Sequence, residues 1–422
     1  MTRKGLISII CGLLCLVQVG CDNSYEGLHG VSLDMNHVEP QRILMFVGKS
    51  NDISRGTGAV NNVEGLAERP FYVYSFIKGS LDAHYAETAV KNPTGCLIDA
   101  SLDDAESIQG RKVYWQPSSG LVEWSAGNAP VMYYPEGEAI GFNYDFFAYY
   151  LDDMKIEEGD VHRLKNSVVV DIEIDGSQDI MSSYARPKDA DLLNGLDKYD
   201  EAYAYREYSY RKECSFSWYT AQLNIHPTFI FRHHLVKLNF KLVPGHTPGF
   251  EKDLKIEKIE VYSRNKGQFT VAHKNASNIG IRFDGEPAGL ELKESDGSEY
   301  RPRMITTVSS GNYVSGNVID DMGSLLVAPG MDYYLDLTIS ETRKGEVISE
   351  SVRRRHHVYL GQTPGYDPGD ADREDGGEFT AGGEYLVTLT LFGSMDVNVS
   401  TDLTAWQPGG NWTHDDDMLW DD

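Results

Sequence analysis

The chain has 422 residues, with 64 acidic against 38 basic side chains and a formal net charge of −26. Acids spread along the whole length exclude the basic footprint of a nucleic-acid-binding protein and favour a soluble, surface-displayed one. Beyond Cys21 only Cys96 and Cys214 remain, neither in a Cys-x-x-Cys pair, which excludes a disulfide-built scaffold and leaves no zinc-ligand spacing.

Arg3 and Lys4 open the chain, and Leu6 to Val19 form a mostly apolar run of 14 residues. A membrane helix needs about 20, so the length and flanks predict a secretory signal over residues 1–20. Small Gly20 before Cys21 marks a bacterial lipoprotein signal, with Cys21 as the lipidated residue of the exported protein. Gln18 departs from the usual Leu at its place, while Cys11 and Cys15 lie inside the run. The roughly 400 residues that follow suffice for two or three domains.

After the signal the dominant period is two. In SVVVDIEIDG, Val168, Val170, Ile172 and Ile174 share one face while Asp171, Glu173 and Asp175 take the other. Residues 189–213 carry Leu193, Leu196, Tyr199 and Tyr203 near helical spacing and are the best helix candidate. Within them Tyr203, Tyr205, Tyr208 and Tyr210 fit either a sugar-stacking platform or one side of a strand, and the strand is the expectation. In FIFRHHLVKLNFKL, Phe229, Phe231 and His233 keep one phase and Val236, Leu238, Phe240 and Leu242 the other. A bulge near His234 would put both sets on one face. Pro227 precedes this strand, and the expected division between two domains falls there.

Further on, Tyr333, Leu335, Leu337 and Ile339 alternate, as do Tyr385, Val387, Leu389 and Leu391, then Met395, Val397 and Val399. The last two runs are joined through Phe392, Gly393 and Ser394, a hairpin signal. With 41 Gly and 25 Tyr, the chain reads as mainly β, built of sandwiches.

Catalytic and metal motifs are lacking. There is no Gly-x-Ser-x-Gly elbow, phosphate loop or His-Glu-x-x-His helix, and no paired carboxylates stand out among the acids. Asp367, Asp370, Asp372 and Asp375 lie in the Gly- and Asp-rich loop 361–378 without EF-hand alternation and read as a solvated turn. The histidine pairs His233–His234 and His356–His357 read as edge or bulge positions, not metal ligands. The expectation is a protein that is no enzyme and has no cofactor or metal.

Several stretches, in order, resemble the fimbrillin family, the lipoprotein pilins of Bacteroidales often called type V pilins. ILMFVGKSNDISRGTGAV (43–60) is similar to the family's early strand and Arg-containing loop, and RPFYVYSFIKG to the strand that follows. VYWQPSSG and FFAYYLDD resemble its aromatic N-terminal strands, and FIFRHHLVKLNF its phenylalanine-and-histidine strand. LLVAPGMDYYLDLTI and GEYLVTLTLFGSMDVNVSTDLTAW, with Trp406, resemble its ending.

The resemblance implies two β-sandwich domains with transthyretin-like topology: a leader over 21–55 with the first strand, an N-terminal domain over 56–228 and a C-terminal domain over 229–422. It implies a structural subunit of a cell-surface pilus that supports adhesion, anchored in the outer membrane through Cys21 before processing. An arginine-specific protease would cut after Arg55, in ISRGTG, and remove the strand Ile43 to Val47. Arg42 is the alternative, although a cut there leaves that strand in place. A strand from another pilus subunit would then fill the groove by β-augmentation. Host or bacterial surface molecules are the implied adhesion ligands, and nucleic acid is not a partner. The polar tail after Trp406 shows no alternation, which favours a tip or accessory subunit over a shaft subunit. The competing reading is a monomeric surface lipoprotein that binds glycans.

Overall fold

The computed structural model describes residues 39–48, 66–67, 69–79, 96–98, 110–124, 132–135, 141–294, 297–309, 318–359 and 378–404. The leader with Cys21, the loop with Arg55, the Asp-rich residues 361–377 and the tail with Trp406 lie outside the described residues.

The first strands are β1 (Phe46–Val47), β2 (Pro70–Ile77), β3 (Cys96–Ile98), β4 (Arg111–Trp115), β5 (Val122–Glu123), β6 (Tyr144–Tyr150), β7 (Val161–Arg163), β8 (Ser167–Glu173) and β9 (Met181–Tyr184). Helices α1 (Asp189–Leu193), α2 (Glu201–Glu213) and α3 (Trp218–Gln222) come next. Then follow β10 (Thr228–Phe229), β11 (Arg232–His233), β12 (Val236–Pro244), β13 (Asp253–Ser263), β14 (Lys266–His273), β15 (Gly280–Asp284) and β16 (Ala288–Glu291). The chain closes with β17 (Arg303–Thr306), β18 (Ser324–Val327), β19 (Asp332–Arg343), β20 (Glu346–Tyr359), β21 (Glu384–Leu391) and β22 (Val397–Thr404). The protein is mainly β, with its sheets packed face to face.

The central sheet runs β11–β9–β6–β2–β4–β5, with β3 also on β2. Both faces of its middle strands β2 and β6 are buried. Tyr74, Phe76, Phe147 and Tyr149 point into one core, while Phe71, Val73, Phe146 and Tyr150 point into a second. A strand covered on both sides needs no polar face, which is why β6 reads YDFFAYY without alternation. The buried carboxylate of Asp145 is matched by the Tyr184 hydroxyl at 2.6 Å and the Gly79 amide at 3.2 Å, and burial raises its pKa. The aromatic strands β4 and β6 flank β2, one on each side.

The first core is shared. The sheet β15–β14–β8–β7 lies against the central sheet, with Phe269 edge-on to Tyr149 at 6.1 Å. Val168, Val170, Ile172 and Ile174 are buried together, as their alternation predicts. Beyond it, the sheet β18–β12–β21–β22 packs on the sheet β16–β13–β19–β20, to which β17 adds through β13. Leu238, Phe240 and Leu242 face Leu335, Leu337 and Ile339 in the same continuous core. The domain division expected at 228/229 falls between the two residues of β10, and β14–β15 share a sheet with β7–β8 from the N-terminal side.

Three expectations are corrected. FIFRHHLVKLNFKL is not one bulged strand: Phe229 and Phe231 join the second core, Val236 onward the first, and the chain crosses between sheets in between. The phase change marks a change of core. Met395 is not on the face of Val397 and Val399: it sits in the turn, 62 % exposed, because the hairpin closes through Phe392 N–H to Asp396 O. Tyr203 to Tyr210 form no strand, since they lie on α2, with Tyr205 72 % exposed.

The single helix expected over 189–213 is two helices. Gly195 at φ +72° ends the first, and the Asp200 carboxylate caps the second by accepting from the Tyr203 amide at 3.0 Å. What α2 buries is polar. Glu207 pairs with Arg211 at 3.0 Å, Arg211 donates to the carbonyls of Leu192 and Asn194 at 2.9 Å each, and Tyr219 donates to Glu207 at 2.9 Å.

Candidate functional site

Residues 39–48 are an inserted strand with partners on both edges. On one edge the Tyr134 amide donates to Gln41 O at 2.9 Å and the Ile43 amide to Met132 O at 2.9 Å. The Val122 amide donates to Met45 O at 2.9 Å and the Val47 amide to Gly120 O at 3.1 Å. On the other edge the Phe46 amide donates to Pro227 O at 2.9 Å and the Gly48 amide to Phe229 O at 2.8 Å. The segment is antiparallel to 121 and 133 and parallel to β10.

This placement closes a ring. The hydrogen-bonded order β9–β6–β2–β4–β5 continues through residues 41–48 to β10, and Thr228 of β10 bridges Arg186 just past β9. Without residues 41–48, the walls 120–122 and 227–229 would face each other across an open groove.

The side chains of the segment alternate. Ile43, Met45 and Val47 are 2 %, 1 % and 7 % exposed and enter the second core beside Phe71, Trp115 and Phe229. Phe46 points to the other side, where the Lys188 ammonium lies 5.5 Å from its ring centroid and the His226 ring 5.8 Å away. Burial lowers the pKa of His226. At Gly48 an added Cβ would come within 3.1 Å of Thr228 Cγ2 and 3.2 Å of Ile230 Cγ1. Upstream, the indole Nε1 of Trp218 in α3 donates to Glu39 O at 3.0 Å, so the helical excursion holds the start of the strand.

The chain is similar to solved structures of fimbrial and adhesion proteins from Bacteroidales. One, from Bacteroides ovatus and assigned to cell adhesion, aligns over 87 % of this chain and 99 % of its own at 11 % identity, with a TM-score of 0.39. The fimbrial anchor protein Mfa2 from Porphyromonas gingivalis aligns over 88 % and 100 % at 11 % identity, TM-score 0.28. The tip fimbrial protein Mfa3 from the same organism, truncated at its C-terminus, aligns over 86 % and 99 % at 10 % identity, TM-score 0.30. No protein-family model and no curated protein matches the chain.

Among the residues singled out in the sequence, Cys21 and Arg55 lie outside the described residues. Arg42 is exposed and sits in the inserted strand itself, bridged to Tyr133. Three of the four paired histidines have structural partners. His233 Nδ1 lies 3.0 Å from Asp179 Oδ1, His234 Nε2 hydrogen-bonds to Ser182 Oγ at 2.7 Å, and His357 pairs with Asp332. Among the described residues no group of three His, Cys, Asp or Glu side chains is arranged to hold a metal, and no helix is long and apolar enough to cross a membrane. Reading the sequence missed Lys188, His226 and the wall Gly120–Val122. Pro227 carried a signal, but as a boundary mark rather than as an acceptor for Phe46.

Proposed function

We propose that this chain is a structural subunit of a cell-surface pilus, exported under residues 1–20, lipidated at Cys21 and held at the outer membrane until it is cut after Arg55. Cutting there frees β1 from β2, and the groove between 120–122 and 227–229 then takes a strand from another pilus subunit. The tip or accessory position, and adhesion to a host or bacterial surface, belong to the same reading.

One observation carries it: residues 41–48 fill a slot between two backbone walls, with alternate side chains in the core. Burying three apolar side chains is worth on the order of 5–9 kcal/mol. That is comparable with a whole domain's net stability of about 5–15 kcal/mol. An emptied groove is therefore costly, and a replacement strand satisfies the same donors, acceptors and pockets.

Limited digestion of the full chain with an arginine-specific protease, followed by sizing and N-terminal sequencing, tests it. The expected result is one dominant early cut with Gly56 as the new terminus, and assembly with partner subunits. An intact N-terminal segment on a protein that stays monomeric beside those partners would overturn it.

A further inference from the structure

We infer that the groove between β5 and β10 selects the strand of another pilus subunit by position, taking the pattern apolar–any–apolar–aromatic–apolar–glycine; this rests on the strand-acceptor reading above. The occupant seen in place, Ile43-Leu44-Met45-Phe46-Val47-Gly48, shows what each position meets.

The three inward positions enter the second core, where a polar side chain would be buried without a partner. The aromatic position lies outside that core. Lys188, just before α1, and His226, after α3, bracket the Phe46 ring from the two ends of the helical excursion. A cation over a ring face and a tilted ring beside it favour an aromatic over an aliphatic side chain.

The last position is limited by space. Thr228, whose methyl would meet an added Cβ, is buried in the groove wall, so a β-branched residue at this position requires that wall to move. Direction is set as well: the strand must run antiparallel to Gly120–Val122 and parallel to Pro227–Phe229. The chain's own residues after β22, AWQPGGNWTHDDDMLWDD, contain no run of this pattern.

The test uses the full chain after arginine-specific cleavage and a labelled synthetic peptide of residues 41–50, with uptake read by fluorescence anisotropy. The native peptide is expected to enter. Peptides carrying Gly48→Val or Phe46→Ala should each bind about tenfold more weakly, and Phe46→Tyr should be retained. In protein carrying Lys188→Ala, the native peptide's advantage over the Phe46→Ala peptide should shrink, because the clamp is half removed. Binding of the Gly48→Val and Phe46→Ala peptides as tight as that of the native one overturns the positional rule while leaving strand acceptance intact. Failure of the native peptide to enter cut protein overturns both. A peptide of residues 405–422, which lacks the pattern, binding as tightly as the native one likewise overturns the positional rule.

Discussion

Trp218 reaches across 179 residues of sequence to donate its indole hydrogen to the backbone oxygen of Glu39, at 3.0 Å. Its ring is buried in the second core, so one side chain anchors α3 and pins the start of the inserted segment 39–48. Replacing Trp218 with Phe keeps most of the ring and loses the hydrogen bond, at a cost of about 1 kcal/mol. Trp218→Ala also empties a core site, at about 3–5 kcal/mol. Urea denaturation should rank the two variants in that order.

Met45 sits deepest of the three inward residues of the inserted strand, at 1 % exposure. Met45→Ala in the intact chain should cost about 2–5 kcal/mol, because the pocket is walled by strands that cannot collapse onto it. Met45→Asp should cost more, since the carboxylate would be buried unpaired. Chemical denaturation of the uncut protein measures both.

The Glu207–Arg211 pair is the polar centre of α2. Arg211→Ala would leave the buried Glu207 carboxylate without its countercharge, with the Tyr219 hydroxyl still donating to it, and take the donor from the carbonyls of Leu192 and Asn194, a loss of about 3–5 kcal/mol. Because the pair is buried, raising the salt concentration should change this little. Loss of helical circular dichroism at lower urea in the variant, with the same salt response as the parent, is the expected outcome.

His234 is buried between Ser182 and the Phe269 ring, and burial, reinforced by its neighbour His233, pushes its pKa down to about 4. It is therefore neutral when folded and gains a proton on unfolding below its ordinary range. Stability from this residue is complete above about pH 6.5 and is lost as pH falls toward 4, by about 3 kcal/mol in all. Asp145, whose folded pKa is raised by burial, acts with the opposite sign over part of that range. Comparing the parent with His234→Gln isolates the histidine: the variant should lose less stability between about pH 7 and about pH 4.5.

Much of the strand content was legible because a strand with one buried face must alternate. Val168 to Ile174, Tyr333 to Ile339 and Tyr385 to Leu391 lie buried where their spacing places them. The α2 tyrosines misled for a local reason: at positions 203, 205, 208 and 210 the sequence mixes period two with period three, and the helix buries an ion pair instead of an apolar stripe. The phase change near His234 was visible, but a bulge and a crossing between two cores look alike along a single strand.

By itself, the sequence determined the mainly β character and the apolar rhythm of β8, β19 and β21, since these depend on the order of side chains along one chain; the run ILMFV as first strand was implied by the family resemblance. Only the tertiary structure decided that this run lies between Gly120–Val122 and Pro227–Phe229, with Lys188 and His226 over Phe46. The walls of a groove come from segments far apart in the chain. Their meeting is set by which cores bury Phe71, Trp115 and Phe229 together, and no local pattern of residues records that.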